Sequence, residues 1–246
     1  LNSANTPGPW TSSSGITNII SPGANDAFHL TGTPIFIDTD RSPATSYSGN
    51  SVHLNTYVGL MRDEHLGSNT QTFTTWYKPI GINPNDAWPA ILDRGVNDKH
   101  WWLFPTPKWP WTLPPVDPPP GTNPQGEFEA TPGDKLGITL RHGSLTDGVS
   151  DIEMNDLSIT FGVWNFFAVR IDYTNQTFSG YCYNEFDGIE IFRSAALPLG
   201  AVPIMPTKPH DVALGGRSSN YSNGYFDQTR YYERILTDAE LQQLAF

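Results

Sequence analysis

The stretch Gly224–Leu244 reads GYFDQTRYYERILTDAELQQL, and its pattern changes midway from that of a strand to that of a helix. The first half alternates buried-type and exposed-type residues, as a half-buried strand does. Thr237 followed three residues later by Glu240 is the pattern of a capping box, and Leu241 and Leu244 form one apolar side of a short helix. We therefore predict a closing strand and one short C-terminal helix.

Runs with a period of two residues, separated by turn residues, fill much of the chain before this stretch. In the run 164–173, Phe167, Val169 and Ile171 fall on one side and Arg170 falls on the other, which predicts a half-buried strand. The chain shows no long helical pattern and contains 22 Gly and 22 Pro. These features predict an all-β fold, namely an antiparallel β-sandwich of the jelly-roll kind.

Composition excludes two classes of partner. The 14 Lys and Arg against 25 Asp and Glu give a net charge of −11. Nucleic acids and anionic membrane surfaces both require clustered positive charge, so we expect neither as a partner. No apolar run reaches 18 residues, so we expect no membrane insertion. Cys182 is the single cysteine, and we expect it to be a small buried apolar residue.

The chain divides into an arm, a domain and an insertion. Residues 1–25 are rich in Ser, Asn, Pro and Gly, which predicts an extended N-terminal arm or a linker to a preceding domain. Residues 26–246 are predicted to form one β-sandwich domain. At about 100–135 this domain carries a Trp- and Pro-rich insertion, and the nine prolines within 105–124 predict a stiff, extended loop.

The insertion is the first candidate for ligand binding. A stiff loop that presents indole rings suits sugars, because the apolar face of a pyranose stacks on an aromatic ring at little entropic cost. Trp109 and Trp111, flanked by prolines, are the strongest candidates, and His100 supplies a polar group nearby. Tyr221 and Tyr225, which we place in a loop before the closing strand, are further candidates, because the loops of a jelly roll often line its rim. The alternative is that the tryptophans clamp the loop onto the sandwich and the tyrosines are ordinary surface residues.

Four parts of the chain carry a resemblance to a known family, and they are Tyr47–Leu54, Phe73–Pro79 with Ala90–Gly95, Gly162–Asp172 and Gly215–Leu244. In this order they resemble segments of the laminin-G-like domains of the concanavalin-A-like lectin and glucanase superfamily. The resemblance covers about residues 47–246, and its main departure is the longer stretch at about 105–135. It implies a concanavalin-A-like β-sandwich, a fold common among lectins and adhesion modules.

The same resemblance implies a structural calcium ion between an early strand and the closing strand. Carried onto this sequence, its ligands are the carboxylate of Asp227, the carbonyl of Gly49 and a group at Asp26. Oxygen ligands of this kind suit a hard cation. The alternative is that Asp227 caps the backbone or pairs with Arg230 or Lys78.

Some enzymes of the superfamily carry Glu-x-Asp-x-x-Glu on one strand. Asp151, Glu153 and Asp156 keep that spacing with the acid types exchanged. A retaining glycosidase needs two carboxyl groups about 5 Å apart, and the shorter aspartates stand where the family has glutamates. We therefore expect a solvated hairpin edge here and no catalysis.

The sequence thus predicts a non-catalytic carbohydrate-binding or adhesion module that binds a glycan or polysaccharide. Its expected location is extracellular, in a secreted protein or on a cell or virion surface. The alternative is a decoration or spike domain in which the arm and the Trp-rich loop pack against neighbouring subunits or a preceding domain. A glycoside hydrolase or lyase is the third hypothesis.

Overall fold

The computed structural model of the protein describes the backbone of residues 15–16, 27–29, 35–37, 51–54, 58–59, 68–82, 91–94, 99–106, 135–144, 152–197, 201, 212–217 and 220–246. Side chains are described for residues 68–79, 91, 157–197, 201, 215 and 224–246. Within these ranges the chain forms sixteen strands and one helix. In chain order they are β1 (Gly15–Ile16), β2 (Ala27–His29), β3 (Ile35–Ile37), β4 (Ser51–Leu54), β5 (Val58–Gly59), β6 (Thr70–Ile82), β7 (Leu92–Arg94), β8 (Lys99–Thr106), β9 (Lys135–Ser144), β10 (Ile152–Thr160), β11 (Asn165–Asp172), β12 (Thr177–Asn184), β13 (Glu190–Ala196), β14 (Val212–Leu214), β15 (Gly216–Arg217), β16 (Asn220–Tyr232) and α1 (Asp238–Ala245).

The strands form two antiparallel sheets. The first sheet has the order β1-β2-β5-β14-β7-β8-β9-β10, and the second has the order β13-β12-β11-β6-β16-β4-β3. The edge strand β10 of the first sheet lies close to β12 and β13 of the second. The predicted all-β antiparallel sandwich with one short C-terminal helix is therefore confirmed.

One face of the second sheet contributes apolar side chains to a buried core. Tyr77, Phe167 and Phe226 are fully buried, and the ring centroids of Tyr77 and Phe226 lie 4.7 Å apart. Cys182 lies opposite Phe167 in the register of β11 and β12 and is buried in this core as a free thiol. Burial raises the pKa of the Cys182 thiol, which keeps it protonated. The predicted role of Cys182 as a buried apolar side chain is confirmed.

The opposite face of the second sheet is buried as well, because α1 packs on it. Trp76 and Phe166 lie with their ring centroids 5.4 Å apart, and Leu241 and Ala245 of α1 complete this cluster. All eight residues of β11 are buried. The prediction of a half-buried strand at 164–173 is therefore wrong on the side that carries Arg170. A helix from the far end of the chain covers the face that the alternation assigned to solvent.

Hydrogen bonds tie the segment before α1 to this covered face. Thr72 Oγ1 donates to the carbonyl of Arg234 at 2.7 Å and accepts from the backbone N–H of Leu236 at 3.1 Å. Arg170 Nη1 donates to the carbonyl of Leu236 at 2.8 Å and to Asp238 Oδ1 at 2.7 Å. The helix is therefore positioned by polar contacts as well as by apolar packing.

The predicted capping box is present at the start of α1. Thr237 Oγ1 accepts from the backbone N–H of Glu240 at 3.2 Å, and Glu240 Oε2 accepts from the backbone N–H of Thr237 at 2.8 Å. Arg234 Nη2 also contacts Glu240 Oε1 at 2.6 Å. Leu241 is buried and Leu244 is partly buried, so the predicted apolar side of the helix is confirmed.

Near the N-terminus, β1 pairs with β2 through Gly15 opposite Phe28 and Ile16 opposite Ala27. The division into an arm at 1–25 and a domain at 26–246 stays a prediction. In the part of the chain that the structure describes, no helix is long and apolar enough to span a bilayer.

Candidate functional site

The closing strand β16 carries three of the residues that the sequence singles out, namely Tyr221, Tyr225 and Asp227. The placement of the two tyrosines in a loop before the closing strand is wrong, because β16 begins at Asn220. The strand begins early because Tyr221 pairs with Gly216 of β15, so a short hairpin extends it. Both tyrosines are therefore held by the ladder of hydrogen bonds in a sheet.

A glycine sets the close approach of β16 to its neighbour β6. The register between these strands shifts between Asn223 and Gly224. A Cβ atom at Gly224 would overlap Cε2 of Tyr77 and lie 2.6 Å from the carbonyl oxygen of Lys78. Only glycine lets two backbones come this close. Beyond this point the register is regular again and places Tyr225 directly opposite Lys78.

Tyr225 and Lys78 form a cation–aromatic pair. The Lys78 ammonium lies 5.9 Å from the centroid of the Tyr225 ring. Both side chains are half-buried, and Tyr225 packs against the cluster that α1 covers. A half-buried aromatic ring can stack on an apolar ligand face, and an ammonium group can donate hydrogen bonds to hydroxyl groups.

Asp227 lies two residues further along β16 and is only 1% exposed. Its Oδ1 accepts from the backbone N–H of Gln228 at 2.7 Å. Gln228 has a positive φ of 47°, and the register with β6 shifts between Asp227 and Arg230. This is a β-bulge, which re-aims side chains and is common beside functional sites. The alternative prediction, that Asp227 caps the backbone, is confirmed by this bond to Gln228.

The chemistry of Asp227 fits one ligand position of the calcium site that the resemblance implies. A carboxylate is the oxygen ligand that a hard cation prefers, and a buried carboxylate needs hydrogen bonds or a cation to offset its loss of hydration. The other two expected ligands, Gly49 and Asp26, lie outside the described residues. Among the residues described here, no group of three His, Cys, Asp or Glu is arranged to hold a metal ion.

The remaining predicted ligand-binding residues are divided between the two sheets and the insertion. His100 lies on β8 of the first sheet, opposite Gly143 of β9, whereas the predicted tyrosines lie on the second sheet. Trp109 and Trp111 lie outside the described residues. The structure thus joins Tyr225 and Asp227 on one strand and places the backbone of His100 in the other sheet.

The carboxylates considered for hydrolysis lie at the edge of the first sheet. Glu153 stands on β10 opposite Arg141 of β9, and the register shifts between Met154 and Leu157. Asp151 lies outside the described residues. The absence of catalysis stays a prediction.

Lys78 was predicted only as an alternative partner of Asp227, and its position beside Tyr225 was not predicted. The signal that would have found it is its register with Tyr225, which depends on the shift at Gly224. A strand alignment that assumes continuous pairing places a different residue beside the tyrosine, so the information is not in the local pattern.

Two comparisons by sequence returned nothing: no protein-family model matches this chain, and no curated protein matches it. Solved structures do match. Full-length tailspike protein 2 of an Escherichia coli O157:H7 bacteriophage is 15% identical, with a TM-score of 0.52, over 100% of this chain and 28% of the tailspike. The enzymatically active domain of the bacteriophage CBA120 tailspike protein 2 is 15% identical, with a TM-score of 0.51, over 94% of this chain and 30% of that one.

A third match is the CBM40 module of the Ruminococcus gnavus IT-sialidase, bound to α2,3-sialyllactose. It is 18% identical, with a TM-score of 0.46, over 76% of this chain and 92% of the module. Identities this low establish the fold alone. The fold is an antiparallel β-sandwich.

Proposed function

We propose that this protein is a non-catalytic carbohydrate-binding or adhesion module of the laminin-G-like type. The observation that carries the proposal is the half-buried Tyr225 ring with the Lys78 ammonium 5.9 Å from its centroid. The pair offers a stacking surface and a hydrogen-bond donor, the two features that a sugar ring with one apolar face and several hydroxyl groups requires. We also propose Trp109 and Trp111 of the insertion as ligand-binding residues.

Charge and fold support the same proposal. A net charge of −11 favours neutral glycans over acidic ones, since like charges repel. The structural match with the bacteriophage tailspike covers 100% of this chain. This match is in keeping with an extracellular or virion location. We propose a glycan or polysaccharide as the partner, at a cell or virion surface or within a secreted protein.

A glycan array with a matched set of variants tests the proposal. Tyr225→Ala is expected to weaken binding about fivefold, because a stacking contact is worth about 1 kcal/mol. Tyr225→Phe keeps the ring and is expected to retain most of the affinity. Trp109→Ala and Trp111→Ala test the insertion separately. A silent array, together with tryptophan fluorescence that no saccharide changes, would count against recognition.

The second candidate function is assembly, as a decoration or spike domain packed against neighbouring subunits. It is favoured by a cluster of exposed apolar side chains on the second sheet, led by Phe186 at 72% exposure. Removal of residues 1–25 tests the version in which the arm locks the assembly. A concentration-dependent oligomer that this deletion abolishes supports assembly, and an unchanged monomer argues against it.

Catalysis is the third hypothesis, and the variant Glu153→Gln addresses it. We expect no release of reducing sugar from any polysaccharide by the unmodified protein. Release that Glu153→Gln abolishes would replace the binding proposal with a glycoside hydrolase.

A further inference from the structure

The exposed large hydrophobic side chains gather at one corner of the second sheet. Within the part of the chain whose side chains are described, they are Phe186 at 72%, Ile189 at 50%, Phe192 at 41% and Phe246 at 55% exposure. Phe186 and Ile189 lie in the turn between β12 and β13, and Phe192 lies on β13. The Phe246 ring packs on Tyr183 of β12 with the centroids 4.6 Å apart. Exposed hydrophobic residues scattered singly are ordinary, but a cluster marks an interaction site.

The turn that presents Phe186 is held rigidly. Asn184 Oδ1 accepts from the backbone N–H of Phe186 at 2.7 Å, and the carbonyl of Asn184 accepts from Gly188 N at 2.9 Å. Asp187 Oδ1 accepts from the backbone N–H of Ile189 at 3.1 Å. The Asn184 amide is itself anchored, since its Nδ2 donates to Asn165 Oδ1 at 3.1 Å in the buried base of the hairpin. A partner that binds Phe186 therefore orders little of this chain, which favours affinity.

The corner is acidic. Glu185 and Asp187 flank Phe186, and Glu190 follows Ile189. These charges act on the nearby Tyr183. Burial raises the pKa of its hydroxyl, and the negative charges of Glu185, Glu190 and Asp187 raise it further. Glu190 is oriented by two contacts, at 3.0 Å from the Tyr181 hydroxyl and at 3.0 Å from Gln242 Nε2 of α1.

We infer that this corner docks a protein segment that carries Lys or Arg beside apolar residues. We call it the hairpin surface and define it by Phe186, Ile189, Glu185, Asp187 and Glu190. The protruding Phe186 ring suits an apolar pocket, and the negative charge of the three carboxylates favours cations around that pocket.

Two other occupants fit less well. A second copy of this chain brings the same three carboxylates and a net charge of −11, so the two surfaces repel. A neutral saccharide gains little from a protruding phenylalanine, because a phenyl ring offers its hydroxyl groups no hydrogen bond. The cationic apolar segment satisfies both the shape and the charge.

Titration of the ¹⁵N-labelled full chain tests the inference, with the synthetic nonapeptide KLKLKLKLK as probe and ELELELELE as its charge-reversed control. We expect amide shifts confined to residues 183–190 and 246 with the lysine peptide and none with the glutamate peptide. Phe186→Ser is expected to weaken binding about tenfold, as loss of a central aromatic anchor does. Glu185→Gln combined with Asp187→Asn is expected to weaken binding similarly and to flatten its salt dependence.

Glu233→Gln is the matched control for the charge variant. Glu233 is exposed, and its backbone carbonyl accepts a hydrogen bond from Thr70 Oγ1. Thr70 and Asn184 lie at opposite ends of the strands, so Glu233 lies away from the hairpin surface. This control is expected to bind like the unmodified protein, and the melting temperature of every variant confirms folding. Equal binding by Phe186→Ser, or amide shifts outside residues 183–190 and 246, overturns the inference.

The competing occupants give distinct results that also overturn the inference. A dimer in sedimentation velocity that Phe186→Ser dissociates assigns the surface to a second copy. Shifts of residues 183–190 with maltohexaose and none with the lysine peptide assign it to a saccharide. Either result is independent of binding at Tyr225, so this inference and the proposed function fail separately.

Discussion

Arg170 Nη1 lies 2.8 Å from the carbonyl oxygen of Leu236, and this bond joins the middle of the second sheet to the segment that leads into α1. The same guanidinium donates from Nε to Ser179 Oγ at 3.0 Å, and it lies 4.8 Å from the centroid of the Phe192 ring. Its side chain is about nine-tenths buried. One arginine thus links β11, β12, β13 and the C-terminal segment.

We predict that Arg170→Ala lowers the free energy of unfolding by about 2–4 kcal/mol, because it leaves a buried carbonyl and hydroxyl without their donor and removes packing. Arg170→Lys is expected to recover only part of the loss, since an ammonium cannot reproduce the fork geometry. Urea denaturation measures both variants. Arg193→Ala, on the exposed strand β13, is the control and should change stability by less than about 0.5 kcal/mol. Equal effects at the two arginines would contradict the prediction.

The capping box predicts a dependence of stability on pH. The contacts with Arg234 and Thr237 lower the pKa of Glu240 from its ordinary value of 4.5 to about 2. A lowered carboxyl pKa stabilises the fold above about pH 4.5, and this stabilisation is lost as the pH falls through about 2. We therefore expect Glu240→Gln to melt below the unmodified protein at pH 5–7, with the gap closing towards pH 2.

Melting curves from pH 2 to 7 measure this gap. Thr237→Ala removes the other half of the cap and is expected to cost about 1 kcal/mol at neutral pH. A gap between Glu240→Gln and the unmodified protein that is the same at pH 2 and pH 7 would refute the assignment.

Two glycines with different surroundings provide a matched pair. Gly224→Ala is expected to lower the free energy of unfolding by about 1–3 kcal/mol, because the new Cβ overlaps Tyr77 and the carbonyl of Lys78. Gly188 has a φ of +66°, and a Cβ there meets nothing within 4 Å, so Gly188→Ala pays only for backbone strain of about 1 kcal/mol. Because the clash distorts the register at Tyr225, only Gly224→Ala should also weaken glycan binding. Loss of glycan binding in Gly188→Ala but not in Gly224→Ala would contradict this prediction.

Calcium is expected to raise the melting temperature if it binds at Asp227, since a ligand that binds only the folded state stabilises it. Thermal melts in calcium and in EDTA measure the shift. Asp227→Asn keeps the side-chain oxygen that accepts from Gln228 and removes the charge, so it should abolish the shift while the protein stays folded. A melting temperature that EDTA and calcium leave unchanged argues against the site.

The closing segment was predictable because its signals are local. The capping box of Thr237 and Glu240 depends on residues three positions apart, and the apolar side of α1 follows from helical periodicity. The antiparallel sandwich followed from alternation and from the density of turn residues. The loop placement of Tyr221 failed for the opposite reason: the start of β16 depends on pairing with β15 and β6, which the sequence of one strand does not reveal.

The sequence by itself determined that this is an all-β chain with a buried cysteine and a capped C-terminal helix, because period and capping are properties of neighbouring residues. The tertiary structure alone decided that α1 covers the second face of β11, which buries Arg170, and that Lys78 stands beside Tyr225. Both relationships join residues more than sixty positions apart. They depend on sheet register and on the docking of one element on another, and neither leaves a periodic trace in the local sequence.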